Sequence, residues 1–315
     1  MTDVALSGSP VVLRAHGYEA AIASVGASLR SLQHEGRDLV VPFATDELRP
    51  NYRGTTLAPW PNRVVDGTHR FGGEELQLAL TEPDRGHALH GLLSWTDWDI
   101  VDAADDEATL TATVPAQAGY PWWIEVRTTF RLGADGLTQT VRATNLSAAP
   151  APWGTGPHPY LVAGDGALDE WTLALPADTV LEVTPERLVP TGLASVASDA
   201  DRFDFREPRV LGAVEIDHAY TDLVRDADGR ATVVVTSPAG TGVQISWDGE
   251  CPWVQIHTAD LPAGPGTPGH RAGLAVEPMT CAPDALNADR YDYDAGLIVL
   301  APGASHEAGW TISAR

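Results

Sequence analysis

Two residues in this chain stand where proton transfer could be staged. Glu277 ends the apolar run Gly273-Leu274-Ala275-Val276 and is followed by Pro278. Alternation along an extended strand turns it to the face opposite Val276. Its carboxylate then lies at a strand end, on a rim or aimed into a cleft. His158 lies in Gly156-Pro157-His158-Pro159-Tyr160. The flanking prolines hold it on an extended backbone, and imidazole titrates in the range that a proton donor needs. Three further segments carry polar groups in unusual settings. Asn62-Arg63 follows Pro59-Trp60-Pro61 and precedes Asp66-Gly67, an Arg in a rigid, aromatic-flanked loop. His90 lies in His87-Ala88-Leu89-His90-Gly91, ahead of Trp95 and Trp98. Asp217 lies in Glu215-Ile216-Asp217-His218-Ala219-Tyr220. Taken singly, each also fits a plainer role: a surface ion pair for Arg63, a structural or loop histidine for His90 and His158, and one solvated carboxylate among 43 acidic residues for Asp217.

The elements that must position these groups are short strands. Period-2 alternation recurs from Val11–Arg14 and Glu19–Ser24 through Leu110–Val114, Trp123–Leu132 and Leu137–Ala143. It resumes at Thr232–Thr236, Val243–Trp247, Trp253–Thr258, Gly273–Val276, Leu297–Leu300 and Ala308–Ile312. Asp135-Gly136, Asp228-Gly229 and Asp248-Gly249 between them are hairpin signals. No segment holds a 3.6-residue apolar stripe, and 24 prolines oppose long helices. The pattern predicts an all-β fold: one domain over residues 1–315, a large antiparallel β-sandwich with function on long loops. The Pro/Gly-rich stretch from Leu261 to Gly273 reads as a loop between two strands.

Composition narrows the chemistry. The 315 residues carry a formal charge of −23, and all 20 basic residues are Arg. Such acidity disfavours nucleic-acid and anionic-membrane partners, which need a basic face. Absence of Lys removes Schiff-base, Ser–Lys and Walker-lysine chemistry. Two cysteines are too few for a disulfide framework or a structural zinc site. Met1-Thr2-Asp3-Val4 lacks the start of a signal peptide and no run approaches 18 apolar residues, so the cytoplasm is expected. Gly264-Pro265-Gly266-Thr267-Pro268-Gly269 matches GxGxxG, but its prolines remove donors and a strand follows instead of a helix. His87 and His90 lack a third ligand by spacing, so no metal is expected.

The segments in their chain order resemble the aldose 1-epimerase (galactose mutarotase) family over nearly the whole length. Ala23–Leu32 is similar to its N-terminal strand pair. Asn62-Arg63 with Asp66-Gly67 is similar to its substrate-binding segment, and Leu89-His90-Gly91 with Trp98 to its Leu-His-Gly motif. Asn145, Gly156 and His158-Pro159-Tyr160 resemble the block holding the catalytic histidine, and Asp217-His218-Ala219-Tyr220 its Asp-His segment. Glu277-Pro278, with Pro283-Asp284-Ala285-Leu286-Asn287 behind it, resembles the block holding the catalytic glutamate. His257 departs from the pattern, standing where relatives commonly carry an aromatic residue, and so do Met279 and Thr280.

The resemblance implies a galactose mutarotase-like supersandwich that interconverts α and β anomers of a free hexose by ring opening and closure, without cofactor or metal. By the same resemblance Glu277 is the catalytic base and His158 the catalytic acid. Arg63, His90, Asp217 and Asn62 bind the sugar, and Trp60 and Trp95 are guesses for stacking on it. The expected partner is a small sugar, with no nucleic acid or membrane, and the chain a monomer or homodimer. Three alternatives stand beside this reading, the first two on the same fold. A mutarotase of a hexose 6-phosphate or sulfosugar would need further Arg at the cleft, with Arg53, Arg85 and Arg271 as candidates. A non-catalytic carbohydrate-binding protein would not need the acid–base pair. A glycoside hydrolase or lyase would pair Glu277 with Asp217.

Overall fold

In the computed structural model, which describes residues 5–315, strands dominate and the one α-helix is the four-residue turn Ala200–Phe203. A nine-stranded antiparallel sheet runs in the order Asp99–Ala103, Glu107–Val114, Ile124–Gly133, Gly136–Asn145, Ser305–Ala314, Gly242–Trp247, Ala231–Thr236, Thr172–Ala174 and Arg209–Val210. A six-stranded sheet runs Tyr160–Leu161, Leu274–Met279, Trp253–His257, Asp217–Leu223, Ala177–Val183 and Pro190–Ser195. Strands Pro10–Ala15, Tyr18–Ala23, Ser28–His34 and Arg37–Asp38 make a separate four-stranded sheet. Among the described residues no helix is long and apolar enough to cross a membrane.

Alternation explains the layering. Along Ile124–Gly133 buried residues alternate strictly with less buried ones, so Ile124, Val126, Phe130 and Leu132 enter the core while Glu125, Arg127 and Arg131 face water. The inner faces of the sheets share one apolar cluster, with Phe130, Val141 and Ile245 from the large sheet and Val180, Tyr220 and Val276 from the smaller. Removing a side chain such as Phe130 from water stabilises the fold by about 1.5–3 kcal/mol.

One turn signal behaves as the sequence predicts. Asp135 lies in the hairpin that closes on the pair Gly133 and Gly136, where Gly136 takes a φ of 114°. The other two correct the expectation. Asp228-Gly229 joins Asp217–Leu223 of the six-stranded sheet to Ala231–Thr236 of the nine-stranded sheet, and Asp248-Gly249 leads back to Trp253–His257. Both turns pass the chain between layers instead of pairing its flanks. Strands Ala177–Val183, Pro190–Ser195 and Asp217–Leu223, absent from the sequence reading, complete the smaller sheet.

Candidate active site

Adjacent strands of the smaller sheet carry a row of polar side chains. Glu277 on Leu274–Met279 pairs with Gln255 on Trp253–His257, and His257 pairs with Asp217 on the next strand. Gln255 Nε2 donates to Asp217 Oδ1 at 2.6 Å. Alternation puts Gln255 and His257 on one face, and both line the same pocket as Glu277 and Asp217. Glu277 is 2% exposed.

His158 reaches this row from a two-residue strand, Gly156–Pro157, paired with Thr56–Leu57. Its N–H donates to the Thr55 carbonyl at 3.1 Å, and its own carbonyl accepts from Gly54 at 2.7 Å. The extended backbone expected from the flanking prolines is therefore clamped on both sides. Its ring lies among Tyr52, His90 and Tyr160, with centroids 6.3, 4.9 and 5.2 Å away. His158 Nε2 stands 3.4 Å from Glu277 Oε1. His158 Nδ1 and Glu277 Oε2 are buried without a hydrogen-bond partner.

The opposite wall comes from the ladder between Arg63–Val65 and His87–Leu89. Asn62 and His90, at φ values of 54° and 59°, turn the chain into and out of it. The Asn62 N–H donates to His90 Nδ1 at 3.2 Å, which leaves Nε2 of that ring to carry a proton. Asn62 Oδ1 accepts from the Arg63 N–H at 2.9 Å. The guanidinium of Arg63 makes a two-point pair with Glu82, Nε and Nη2 donating at 2.8 and 3.0 Å, and its Nη2 lies 3.9 Å from Asp217. Behind the ladder, Asp284 donates its N–H to the Arg63 carbonyl and accepts from the Val65 N–H at Oδ1. The block after Glu277 is thus the buttress of the Arg63 strand.

Electrostatics divide these groups. Burial, then the nearby Asp217, pushes the Glu277 carboxyl well above the usual carboxylate range, against the pull of Arg63. Burial, helped by His257, pushes His158 down to about 3. Burial and the neighbouring His158 also hold His90 well below its ordinary value. Asp217 behaves oppositely: burial would raise it, but His257 and Arg63 hold it below the usual range. The site thus places an ionised carboxylate beside a carboxyl that resists ionisation.

All six residues singled out for chemistry or binding, Asn62, Arg63, His90, His158, Asp217 and Glu277, line one cavity of about 240 Å³. That is below the roughly 300–1,000 Å³ of pockets for drug-sized ligands. It is a volume on the scale of one sugar ring. Tyr52, Glu82 and Gln255 also line it without having been singled out in the sequence, as do Tyr160, quoted there only as part of the His158 block, and His257, flagged there only as a departure. Tyr52 left no periodic signal because it lies in a turn where it and Asn51 both take positive φ, 56° and 47°.

The tryptophans guessed for stacking lie elsewhere. Trp60 is 2% exposed and packs on Tyr120, while Trp95 is 52% exposed, with the Arg49 guanidinium 4.4 Å above its ring. His87 is committed through both nitrogens, to the Asp66 N–H and the Arg187 carbonyl. The GxGxxG stretch forms successive turns beside Leu261 and Pro262, which edge the pocket. Of the three extra Arg, Arg271 is committed to Asp169 and Asp260, Arg85 to Glu82, and Arg53 lies near the Tyr160 ring.

Comparison with known proteins bears on the family and the fold. The aldose 1-epimerase family profile matches residues 10–313. An uncharacterised protein of Escherichia coli K12, YihR, is 34% identical over 313 residues, 99% of this chain and 95% of that one. The human galactose mutarotase is 30% identical over 207 residues, 61% of this chain and 58% of its own length. The crystal structure of a GalM/aldose epimerase homologue from C. elegans superposes with a TM-score of 0.81 at 23% identity, covering 97% of this chain and 98% of that one, which shows the same fold. The chain belongs to the aldose 1-epimerase family and is an isomerase of the mutarotase type.

Proposed function

We propose that the protein interconverts the α and β anomers of a neutral free hexose, with Glu277 as base and His158 as acid. The observation that carries this is the 3.4 Å separation of His158 Nε2 and Glu277 Oε1 inside a ring-sized pocket. The anomeric hydroxyl and the ring oxygen are bonded to the same carbon, so their proton partners must be neighbours. Glu277 as carboxylate takes the proton from the C1 hydroxyl while protonated His158 delivers one to the ring oxygen. The C1–O5 bond breaks and an aldehyde forms. After rotation about C1–C2, His158 removes the proton from the O5 hydroxyl. The carbonyl oxygen is reprotonated by Glu277, and the ring closes on the other face. Protons balance, since the ion pair before opening becomes a neutral pair after it.

Both groups are buried and each favours its neutral form. The reactive ion pair differs from the resting neutral pair by one proton shift between the two partners, and the bound sugar must help to stabilise it. Arg63, Asp217, and His90 through Nε2 would bind hydroxyls by charge-assisted or neutral hydrogen bonds. Asn62 holds His90 and Arg63 in place.

A neutral sugar is favoured over an anionic one by charge. Among the described residues Arg63 and Arg85 are the arginines that line the pocket, and they are answered by Glu82 and Asp217. Arg271 is fully engaged outside the cavity. The protein is taken to act as one domain on a diffusing cytoplasmic sugar. Polarimetry on freshly dissolved α-anomers tests the substrate. At least one neutral aldohexose should reach equilibrium faster with protein than without. Acceleration confined to phosphorylated or sulfonated sugars would transfer the site to the anionic class, and none across the panel would remove the activity.

A further inference from the structure

Glu82 takes no part in the chemistry above, yet it forms part of the pocket wall against Arg63. Besides its two bonds to Arg63, it accepts from Arg85 Nη1 at 3.0 Å. This is not a loose surface pair, since the side chains of Arg63 and Glu82 are 10% and 13% exposed. The backbone beneath Glu82 is fixed as well. Glu82 bridges to His87, its carbonyl accepting from the N–H groups of Gly86 and His87. His87 opens the strand paired with Arg63–Val65, so the residue that bridges to Glu82 belongs to the ladder that carries Arg63. From outside, Arg187 Nε donates to the Arg85 carbonyl at 2.9 Å, and the Arg187 carbonyl meets His87 Nε2 at 2.8 Å.

This geometry has two effects. Side-on pairing consumes Nε and one Nη2 proton, fixes the plane of the guanidinium, and leaves its Nη1 edge near Asn62 and its remaining Nη2 proton toward Asp217. It also sets a negative charge directly against the cation that faces Glu277. We infer that Glu82 is a positioning residue for the mutarotase reaction, orienting Arg63 toward the sugar and cancelling much of its charge as felt by the Glu277–His158 pair, an inference that rests on the roles proposed above for those three residues. Without Glu82, Arg63 would draw the shared proton off the pair more readily. The direction of that effect is already visible, because Arg63 is the group that opposes the upward displacement of Glu277. The other charged or titratable groups around Glu277 are His158 and Tyr160 on one side, Asp217 and His257 on the neighbouring strands, and His90 beyond His158. None of them is bonded to Glu82.

Two variants separate charge from reach. Glu82→Gln keeps the shape and loses the charge, whereas Glu82→Asp keeps the charge and withdraws it from the guanidinium. Each is assayed by anomer exchange across pH, with the spontaneous rate subtracted. Glu82→Gln should move the whole kcat/KM bell toward lower pH by about one unit. Glu82→Asp should leave the bell in place and raise KM roughly tenfold. A Glu82→Gln bell that coincides with wild type overturns the inference, as does a Glu82→Asp bell displaced equally far. Should Glu82→Gln fail to fold by circular dichroism, Glu82→Asp decides: raised KM on an unmoved bell supports the inference, and wild-type KM overturns it. An unaccelerated wild-type reaction is a different failure, which removes the mutarotase reading and this inference with it.

Discussion

Two charged clusters share the pocket, and they are built on opposite terms. Around Arg63, Glu82 supplies a two-point pair at 2.8 and 3.0 Å and Asn62 a further acceptor. Around Glu277, one oxygen and the remote nitrogen of His158 have no partner. A compensated ion cluster is rigid and indifferent to small changes in pH. An uncompensated buried pair is costly and holds its proton loosely between two sites. On the roles proposed above, the contrast teaches that binding groups are fixed by satisfying them, and proton-transfer groups are kept reactive by leaving them short of partners.

The sharpest way to break this contrast is to remove the uncompensated pair. Glu277→Gln and His158→Asn should each lower accelerated anomer exchange by about 10²–10⁴-fold with the protein still folded, read by saturation-transfer NMR. Near-wild-type exchange in either variant would strip that residue of its role. Arg63→Ala should act mainly on binding, with KM rising roughly tenfold or more and kcat falling less. A large fall in kcat at unchanged KM would place Arg63 in the chemistry instead.

The pH profile sharpens the same comparison. The proposed mechanism needs the Glu277–His158 pair to hold one shared proton. The bell for kcat/KM should therefore show an acid limb far below the ordinary histidine range, where a second proton is added, and an alkaline limb above the ordinary carboxylate range. The two apparent values belong to the pair. An acid limb at the ordinary histidine value would contradict the burial of His158.

A smaller effect concerns stability. The folded state raises the Glu277 value, so its stabilising contribution is complete below the unfolded carboxylate value of 4.5 and is lost as pH rises through the folded value. Glu277→Gln removes that loss. Its melting temperature should match wild type in acid and exceed it by a few degrees toward alkaline pH. A difference that does not grow with pH would mean Glu277 is not strained by burial. Smallest of all, Trp95→Ala should change kcat/KM less than about twofold, because Trp95 lies outside the cavity and surface substitutions of this kind are small.

Much of the site was legible because its residues travel in local company. Pro157 and Pro159 advertise His158, and the apolar run before Glu277 announces a strand end. Glu82 was not legible. It is one acidic residue in a charged turn, Thr81-Glu82-Pro83-Asp84-Arg85, and its value comes from a bridge to His87, in the ladder that carries Arg63. Gln255 was hidden for a different reason. It alternates with apolar residues along Trp253–His257, and alternation alone cannot distinguish a buried pocket face from a solvent face. Strand existence was read well where one face meets water, as in Ile124–Gly133. Asp228-Gly229 and Asp248-Gly249 misled because a tight turn reports that the chain reverses, and it does not report which sheet receives it.

The bonds between Asp284 and the Arg63 strand span a long stretch of chain, 219 residues in the case of the Val65 N–H. Loops of that length close late, because their entropy must be met before the contact returns anything. During refolding, strand signals in circular dichroism should return ahead of sugar turnover. On a ribosome, the nascent chain would complete its pocket only after Glu277 and Asp284 had emerged.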